Sequence, residues 1–259
     1  MEKNIDFGYV ADLYDYYATG SYDLNFYRNL CRNRENILEL MCGTGRVSIP
    51  LIREGFPITC VDYSEEMLEV FRSKLGDESE NSRLVCQDVC ELEMDHLYDL
   101  IVIPSNSLSE ILDKAKQRKA IQNIYRHLKP GGIFFCALYN PFYRVKQADG
   151  TIKYLGKYNL DGGRSMVITY YNIYLSDLQI ISGTQFYEIY DSNNRMIEKR
   201  CLDVRFSVIT KEEICQMARS AGFSVKAVYG DYEPYHYDEK STYMNFVFVK
   251  EKRGGRCRR

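Results

Sequence analysis

The sequence predicts an α/β protein: a doubly wound, mostly parallel sheet, interrupted late in the chain by an antiparallel meander. Three observations predict it. Apolar runs of strand length alternate with amphipathic helical stretches from residue 37 to 139, the pattern of a parallel sheet with crossover helices. The first strand runs into Cys42-Gly43-Thr44-Gly45, glycines placed where such a sheet meets its first helix. From about 142 to 207 the segments MVITYYNIYL, LQIISGTQFYEIY and RCLDVRFSVI alternate or run apolar, with DGG and SNN between them. These read as antiparallel strands joined by turns.

Each element has its own signal. Val10, Leu13, Tyr14 and Tyr17 recur at helix spacing, and Leu24, Tyr27, Leu30 and Cys31 share a face within 22–32. Residues 37–40 form a buried strand, 46–54 a helix stopped by Gly55, and 58–61 a second strand. A helix over 64–75 follows, with Ser64 as N-cap and Glu65 and Glu66 in its first turn. Residues 83–86 and 98–104 are the third and fourth strands, 109–128 is helical, and Lys129-Pro130-Gly131-Gly132 turns into a fifth strand over 133–139. After the meander, Thr210 and Glu213 stand in capping-box positions of a helix that Gly222 ends. Residues 223–229 and 243–249 close the chain as a hairpin-like edge. The expected division is therefore a helical lid (1–35), an α/β core (36–141), an antiparallel insertion covering the substrate (142–208), a helix and strands completing the core (209–249), and a basic tail (250–259).

Composition removes several classes. The 259 residues carry 34 Lys and Arg against 36 Asp and Glu, a formal charge of −2. Six of those basic groups and one acid lie in the last ten residues, so the body stands at −7, a poor match to a polyanion. No apolar stretch approaches the length of a membrane span, and MEKNIDFGYVADLYDYY is too acidic for a signal peptide. Nine scattered cysteines, an odd number, fit reduced thiols in a cytoplasmic protein. Cys86, Cys90 and His96 lack the second Cys/His pair of a zinc site, so no metal is expected.

The strongest local signal is Glu39-Leu40-Met41-Cys42-Gly43-Thr44-Gly45-Arg46 at a strand-to-helix junction. Glycines there bring backbone N–H groups close to a ligand, or serve only a tight turn. A nicotinamide dinucleotide is one candidate, but Ser48 replaces the last glycine of its fingerprint and Glu39 opposes a pyrophosphate. A carboxylate at that strand end suits a ligand bearing ammonium or sulfonium charge. Asp62 ends the second strand, where a carboxylate accepts ribose hydroxyls. Asp88, after the third, can accept a hydrogen bond from an adenine amine.

The segment ILELMCGTGRVSIPLIREGFPITCVDYSEEML, followed by QDV, YDLIVIPSNSL and LKPGGIFF, resembles the class I S-adenosylmethionine-dependent methyltransferases over residues 36 to 140. The later TKEEICQMARSAGF and YMNFVFV resemble the end of that fold. The resemblance implies a Rossmann-like seven-stranded sheet of order 3-2-1-4-5-7-6 and S-adenosylmethionine as cofactor. It assigns Glu39, Gly43 and Gly45 to the methionine end, Asp62 to the ribose, Asp88 to the adenine amine, and Tyr63 and Met67 to the flanks of the adenosine. Tyr14, Met41, Cys42, Arg46, Gln87, Val89 and Pro104 complete the expected cofactor set. The family often has Gly where Met41 stands.

The acceptor is expected to be an amine or hydroxyl of a small molecule, since the lid and inserted meander resemble glycine and aminosugar N-methyltransferases. The nucleic-acid tetrad N/D-P-P-Y has no counterpart after the fourth strand, where Ile103-Pro104-Ser105-Asn106 stands; Asn140-Pro141-Phe142-Tyr143 is similar but follows the fifth. An RNA or protein substrate, a non-catalytic binder and a NAD-dependent oxidoreductase are the alternatives, nucleic acid being disfavoured and a homodimer left open. Expected catalytic residues are Tyr14, Asn106 and the base His236; expected substrate contacts are Tyr17, Asn106, Ser107, Asn140 and Arg205. The 23 tyrosines cluster outside the core: six precede residue 31, nine fall in 139–190 and five in 229–243. That distribution points to a tyrosine-lined acceptor pocket, with β-propensity explaining part of the insertion's share.

Overall fold

The computed structural model describes residues 4–76, 82–233 and 235–252. Five parallel strands come first: β1 (Ile37–Leu40), β2 (Ile58–Asp62), β3 (Ser82–Cys86), β4 (Tyr98–Ile103) and β5 (Leu128–Tyr139). A separate antiparallel sheet of β6 (Lys153–Asn159), β7 (Ser165–Leu175), β8 (Ile180–Tyr190) and β9 (Met196–Ser207) follows. The chain then returns to the first sheet with β10 (Phe223–Tyr229) and β11 (Tyr243–Lys250), both antiparallel to their neighbours. The first sheet has the order β3-β2-β1-β4-β5-β11-β10, the seven-stranded order that the resemblance implies. The strand β1 is buried along its whole length, which is why it reads as an apolar run rather than as alternation.

Helices cover both faces. On one, α5 (Lys114–His127) and α7 (Lys211–Ala221) set Ile121, Ile124, Ile214 and Ala218 against Leu38, Ile101, Phe134 and Phe246. On the other, α2 (Leu24–Cys31), α3 (Ser48–Arg53) and α4 (Glu65–Leu75) set Tyr27, Ile49 and Phe71 against Ile37, Leu100 and Phe135. A third core joins Ile5, Val10 and Leu13, around α1 (Ala11–Tyr17), to Met166, Ile168, Tyr187 and Leu202 of the antiparallel sheet. The two N-terminal helices thus pack into different cores. The caps follow the sequence: the Ser64 hydroxyl accepts from Met67 N at 3.4 Å, and Thr210 and Glu213 form a reciprocal box.

Several boundaries differ from the sequence reading. The helix expected from Arg46 begins at Ser48, because the glycine turn continues through Arg46. The helix expected over 109–128 divides into a 3-10 turn, Ser107–Glu110, and α5, whose N-cap Asp113 accepts from Lys116 N at 2.9 Å. Strand β5 starts at Leu128, and the Pro-Gly-Gly stretch is an irregularity within it rather than a turn before it. A short helix, α6 (Pro141–Gln147), is additional; Asn140 as N-cap with Pro at the first position was its signal. The expected edge hairpin is only half an edge, since β11 runs between β5 and β10. Lys250, placed at the start of the basic tail, belongs to β11, and its ammonium donates to Tyr125 O and Leu128 O. Residues 253–259 of that tail lie outside the described residues.

Candidate active site

Strand ends β1 to β4 open onto two adjoining cavities at the carboxyl edge of the sheet. The smaller, about 60 Å³, is bounded by Glu39, Gly43, Met67 and Pro104 and is roofed by Phe7 and Tyr14. The larger, about 520 Å³, extends over Gln87, Asp88 and Val89 toward Asp113 and Lys116. Met41, Asp62, Tyr63 and Glu110 line both.

The turn between β1 and α3 is shaped by three left-handed residues, Met41 (φ 58°), Gly43 (φ 56°) and Gly45 (φ 82°). A left-handed Met carries a steric cost of about 1–2 kcal/mol, and its side chain helps offset it by packing against the core beside the cavities. Gly43 N donates to the Asp62 Oδ2 at 2.7 Å, while Asp62 Oδ1 accepts from Ser64 N at 2.9 Å. This carboxylate therefore ties the glycine turn to the end of β2. Gly45 does not reach the cavity wall. A Cβ there would lie 2.8 Å from Phe71 and 2.9 Å from Ile49, so both this packing and its left-handed φ call for glycine.

Glu39 is 2% exposed and accepts from the Ser48 hydroxyl. Burial pushes its carboxyl up to about 7, against the opposing pull of Ser48 and Arg46. Arg46 is held away from it: the guanidinium grips both oxygens of the fully buried Asp23 at 2.8 and 2.7 Å and reaches Gly20 O and Ser105 Oγ. The cavity thus contains an acid whose nearest fixed cation is already matched. Tyr63 donates to Ile5 O at 2.6 Å, and Thr44 Oγ1 to Asp15 Oδ1 at 2.6 Å, so core residues fasten the N-terminal segment above the site.

Tyr14 packs edge-on against Phe7 and Tyr17, with ring centroids 5.9 and 5.2 Å away. Burial and then Glu110 raise its hydroxyl pKa well above the ordinary value. Tyr17 lies behind it. Its hydroxyl is 3.0 Å from that of Tyr187, which itself donates to Gln185 Oε1, so Tyr17 is the donor of the pair. Met41, Cys42, Gly43, Arg46, Asp62, Tyr63, Met67, Pro104 and Ser107 come together with Tyr14 and Glu39. Asp88 lines the second cavity with one oxygen accepting from Cys90 N at 2.7 Å. Gln87 lines it too, its amide paired with the Glu93 backbone.

Four expected residues are placed otherwise. His236 is exposed, its backbone bridging Tyr229, and it borders neither cavity. Asn106, itself left-handed (φ 66°), accepts from Tyr139 N at 3.0 Å and donates to Ser109 Oγ at 2.5 Å. Its polar atoms brace the turn after β4. Asn140 caps α6 and donates to Glu239 O and Ser241 O. Arg205 is an exposed residue of β9 opposite Ser182. Glu110 was missed: it falls inside the helix expected over 109–128, and nothing in the sequence reading gives it a role. The 3-10 turn instead presents it to both cavities.

Residues 37–132 match the family model described as "Methyltransferase domain". The chain is 28% identical to the putative methyltransferase YqeM of Bacillus subtilis (strain 168) over 83% of its own length and 84% of the relative's. It superposes on an S-adenosylmethionine-dependent methyltransferase from Clostridium acetobutylicum ATCC 824 with a TM-score of 0.77 at 20% identity, covering 95% of this chain and 99% of that one. It also resembles CalS10, an amino pentose methyltransferase from Micromonospora echinaspora, with a TM-score of 0.68 at 17% identity, covering 93% and 94%.

Proposed function

We infer that this chain, a class I S-adenosylmethionine-dependent methyltransferase, passes the methyl group to an amine or hydroxyl of a small molecule. The residues present fit the cofactor. Glu39 is a buried carboxylate in want of a cation, and the cofactor's methionine ammonium supplies one. Asp62 lines both cavities at the end of β2, where its carboxylate would accept from ribose hydroxyls. Asp88 and Val89 stand where the base would lie, with Met41, Tyr63 and Met67 packing along the nucleoside. The bound cofactor supplies an electrophilic methyl on a sulfonium. The protein's share is to align an attacking lone pair with it and exclude water, which is worth several kcal/mol of barrier.

One observation carries the small-molecule reading. The methionine-end cavity is roofed by Phe7 and Tyr14 and keeps only about 60 Å³, with the roof fastened through Ile5 and Asp15. A duplex, an RNA loop or a folded protein surface does not pass such a roof, whereas a metabolite enclosed beneath it does. The likeness to an amino pentose methyltransferase supports the same reading. The test is titration calorimetry with S-adenosylmethionine, followed by transfer of labelled methyl to panels of amines, hydroxy compounds, RNA and protein. Saturable labelling of a small molecule is expected. Labelling confined to RNA or protein overturns the reading.

A further inference from the structure

The cofactor's sulfonium joins its methionine chain to its ribose, so the methyl to be transferred lies where the methionine-end and nucleoside cavities meet. Four residues line both. Met41 brings no charge. Asp62 is engaged by Gly43 N and Ser64 N, and the Tyr63 hydroxyl donates to Ile5 O. Glu110 is different: among the described residues its carboxylate makes no hydrogen bond or ion pair, while its backbone oxygen is held by the Asn4 amide at 2.8 Å. The main chain is fixed and the acid is left facing the junction.

We propose that Glu110 receives the methyl acceptor as a protonated amine at the transfer point and takes its proton; this rests on the small-molecule reading above and narrows it to nitrogen. The step balances. The ammonium gives one proton to the Glu110 carboxylate, leaving a neutral amine and a carboxylic acid. The freed lone pair forms the N–C bond as the C–S bond breaks, its electron pair passing to sulfur. The products are an N-methylated ammonium ion and the neutral thioether. A carboxylate can unmask an ammonium nitrogen but is far too weak a base for an aliphatic hydroxyl.

The surroundings suit this task. Burial, then the like charge of Asp62, raises the Glu110 carboxyl to about 8, nearer to an alkylammonium than an exposed glutamate stands. Tyr14 and Tyr63 face it with neutral hydroxyls, each raised first by burial and then by Glu110. Of the other charged groups on these cavities, Glu39, Asp88 and Asp113 are acids, Arg46 is gripped by Asp23, and Lys116 lies at the far end of the larger one. Arg205, on the strand packed against the 3-10 turn, is exposed. Acids outnumber the cations here, so an incoming ammonium is favoured.

Sinefungin, whose ammonium-bearing carbon replaces the sulfonium and its methyl, probes the junction without the acceptor being known. S-adenosylhomocysteine, which has neither charge there, is the control. Both carry the methionine end, so titration of Glu39 cancels in the ratio of their affinities. Calorimetry on the full chain should give a preference for sinefungin that grows between pH 6.5 and 8.5 as Glu110 ionises. Glu110→Gln should cut that preference by about tenfold or more and flatten its pH profile, while leaving S-adenosylhomocysteine binding within about twofold; Glu110→Asp should restore part of it. An unchanged preference in Glu110→Gln, or equal losses for both ligands, overturns the proposal and leaves the small-molecule reading standing. Failure of the wild-type chain to bind either ligand overturns both.

Discussion

Glu39 shows how one residue ties cofactor binding to stability. Its carboxyl stands at about 7 in the folded chain against 4.5 for the ordinary group. Between those values the folded state holds more of this proton than the unfolded state does. Its contribution is therefore most favourable below pH 4.5 and is lost as pH rises toward 7, a cost of about 3 kcal/mol at most. The variant Glu39→Gln removes the titration. It should be the more stable apo-protein at pH 8, the two should converge near pH 5, and its affinity for S-adenosylmethionine should fall roughly 10–100-fold through loss of a charge-assisted contact. Urea unfolding at both pH values with calorimetry checks this; a wild-type chain that gains stability from pH 5 to 8 relative to the variant refutes the account. Glu39, Asp62 and Asp88 were legible because each acid ends a strand that the apolar pattern delimits. Glu110 was not, because the boundary between a 3-10 turn and α5 leaves little trace in periodicity. The backbone of Met41 was half-legible: the family it resembles often has a glycine there, and the left-handed φ explains why.

Among the elements, the N-terminal segment is held by contacts of unequal strength. The Arg46–Asp23 pair is bidentate, with Asp23 fully buried and the Arg46 side chain 18% exposed. Lys74–Asp15 is as short, at 2.6 Å, but both side chains are about one-third exposed. Removing one partner of a buried pair strands the other in a low-dielectric site, whereas an exposed pair is screened. Asp23→Asn should therefore cost about 3–5 kcal/mol, and its amides over 18–31 should exchange faster. Asp15→Asn, whose amide oxygen still accepts from the Thr44 hydroxyl, should cost less than about 1 kcal/mol. Equal losses in thermal unfolding would show that burial does not rank these contacts. The helices themselves could be read from their apolar spacing, but the pairing of residue 23 with 46 could not, because the partners meet only when the glycine turn folds. Helix α6 escaped for the opposite reason: its cap was visible at Asn140-Pro141, but seven residues are too few for a periodic stripe.

At the scale of the whole molecule, the inserted sheet followed from the pattern each of its strands carries, and the strand order from the resemblance to the methyltransferases rather than from any pattern. How the cover is assembled did not. Its core is built from Ile5, Val10 and Leu13 on one side and Met166, Tyr187 and Leu202 on the other, partners far apart in sequence that no local pattern pairs. The Tyr17 and Tyr187 hydroxyls join across the same seam. The N-terminal segment and the antiparallel sheet should then loosen together, apart from the parallel sheet, whose cores lie elsewhere. Leu13→Ala tests this, since Leu13 is 4% exposed and faces only that third core. The substitution should cost about 2–4 kcal/mol. Hydrogen exchange should rise across β7, β8 and β9 while amides of β1, β4 and β5 stay protected, and S-adenosylhomocysteine affinity should fall as the roof of Phe7 and Tyr14 is released. Protection lost equally in both sheets would mean that the cover and the sheet open as one unit, and that ligand entry requires more than release of the N-terminal segment.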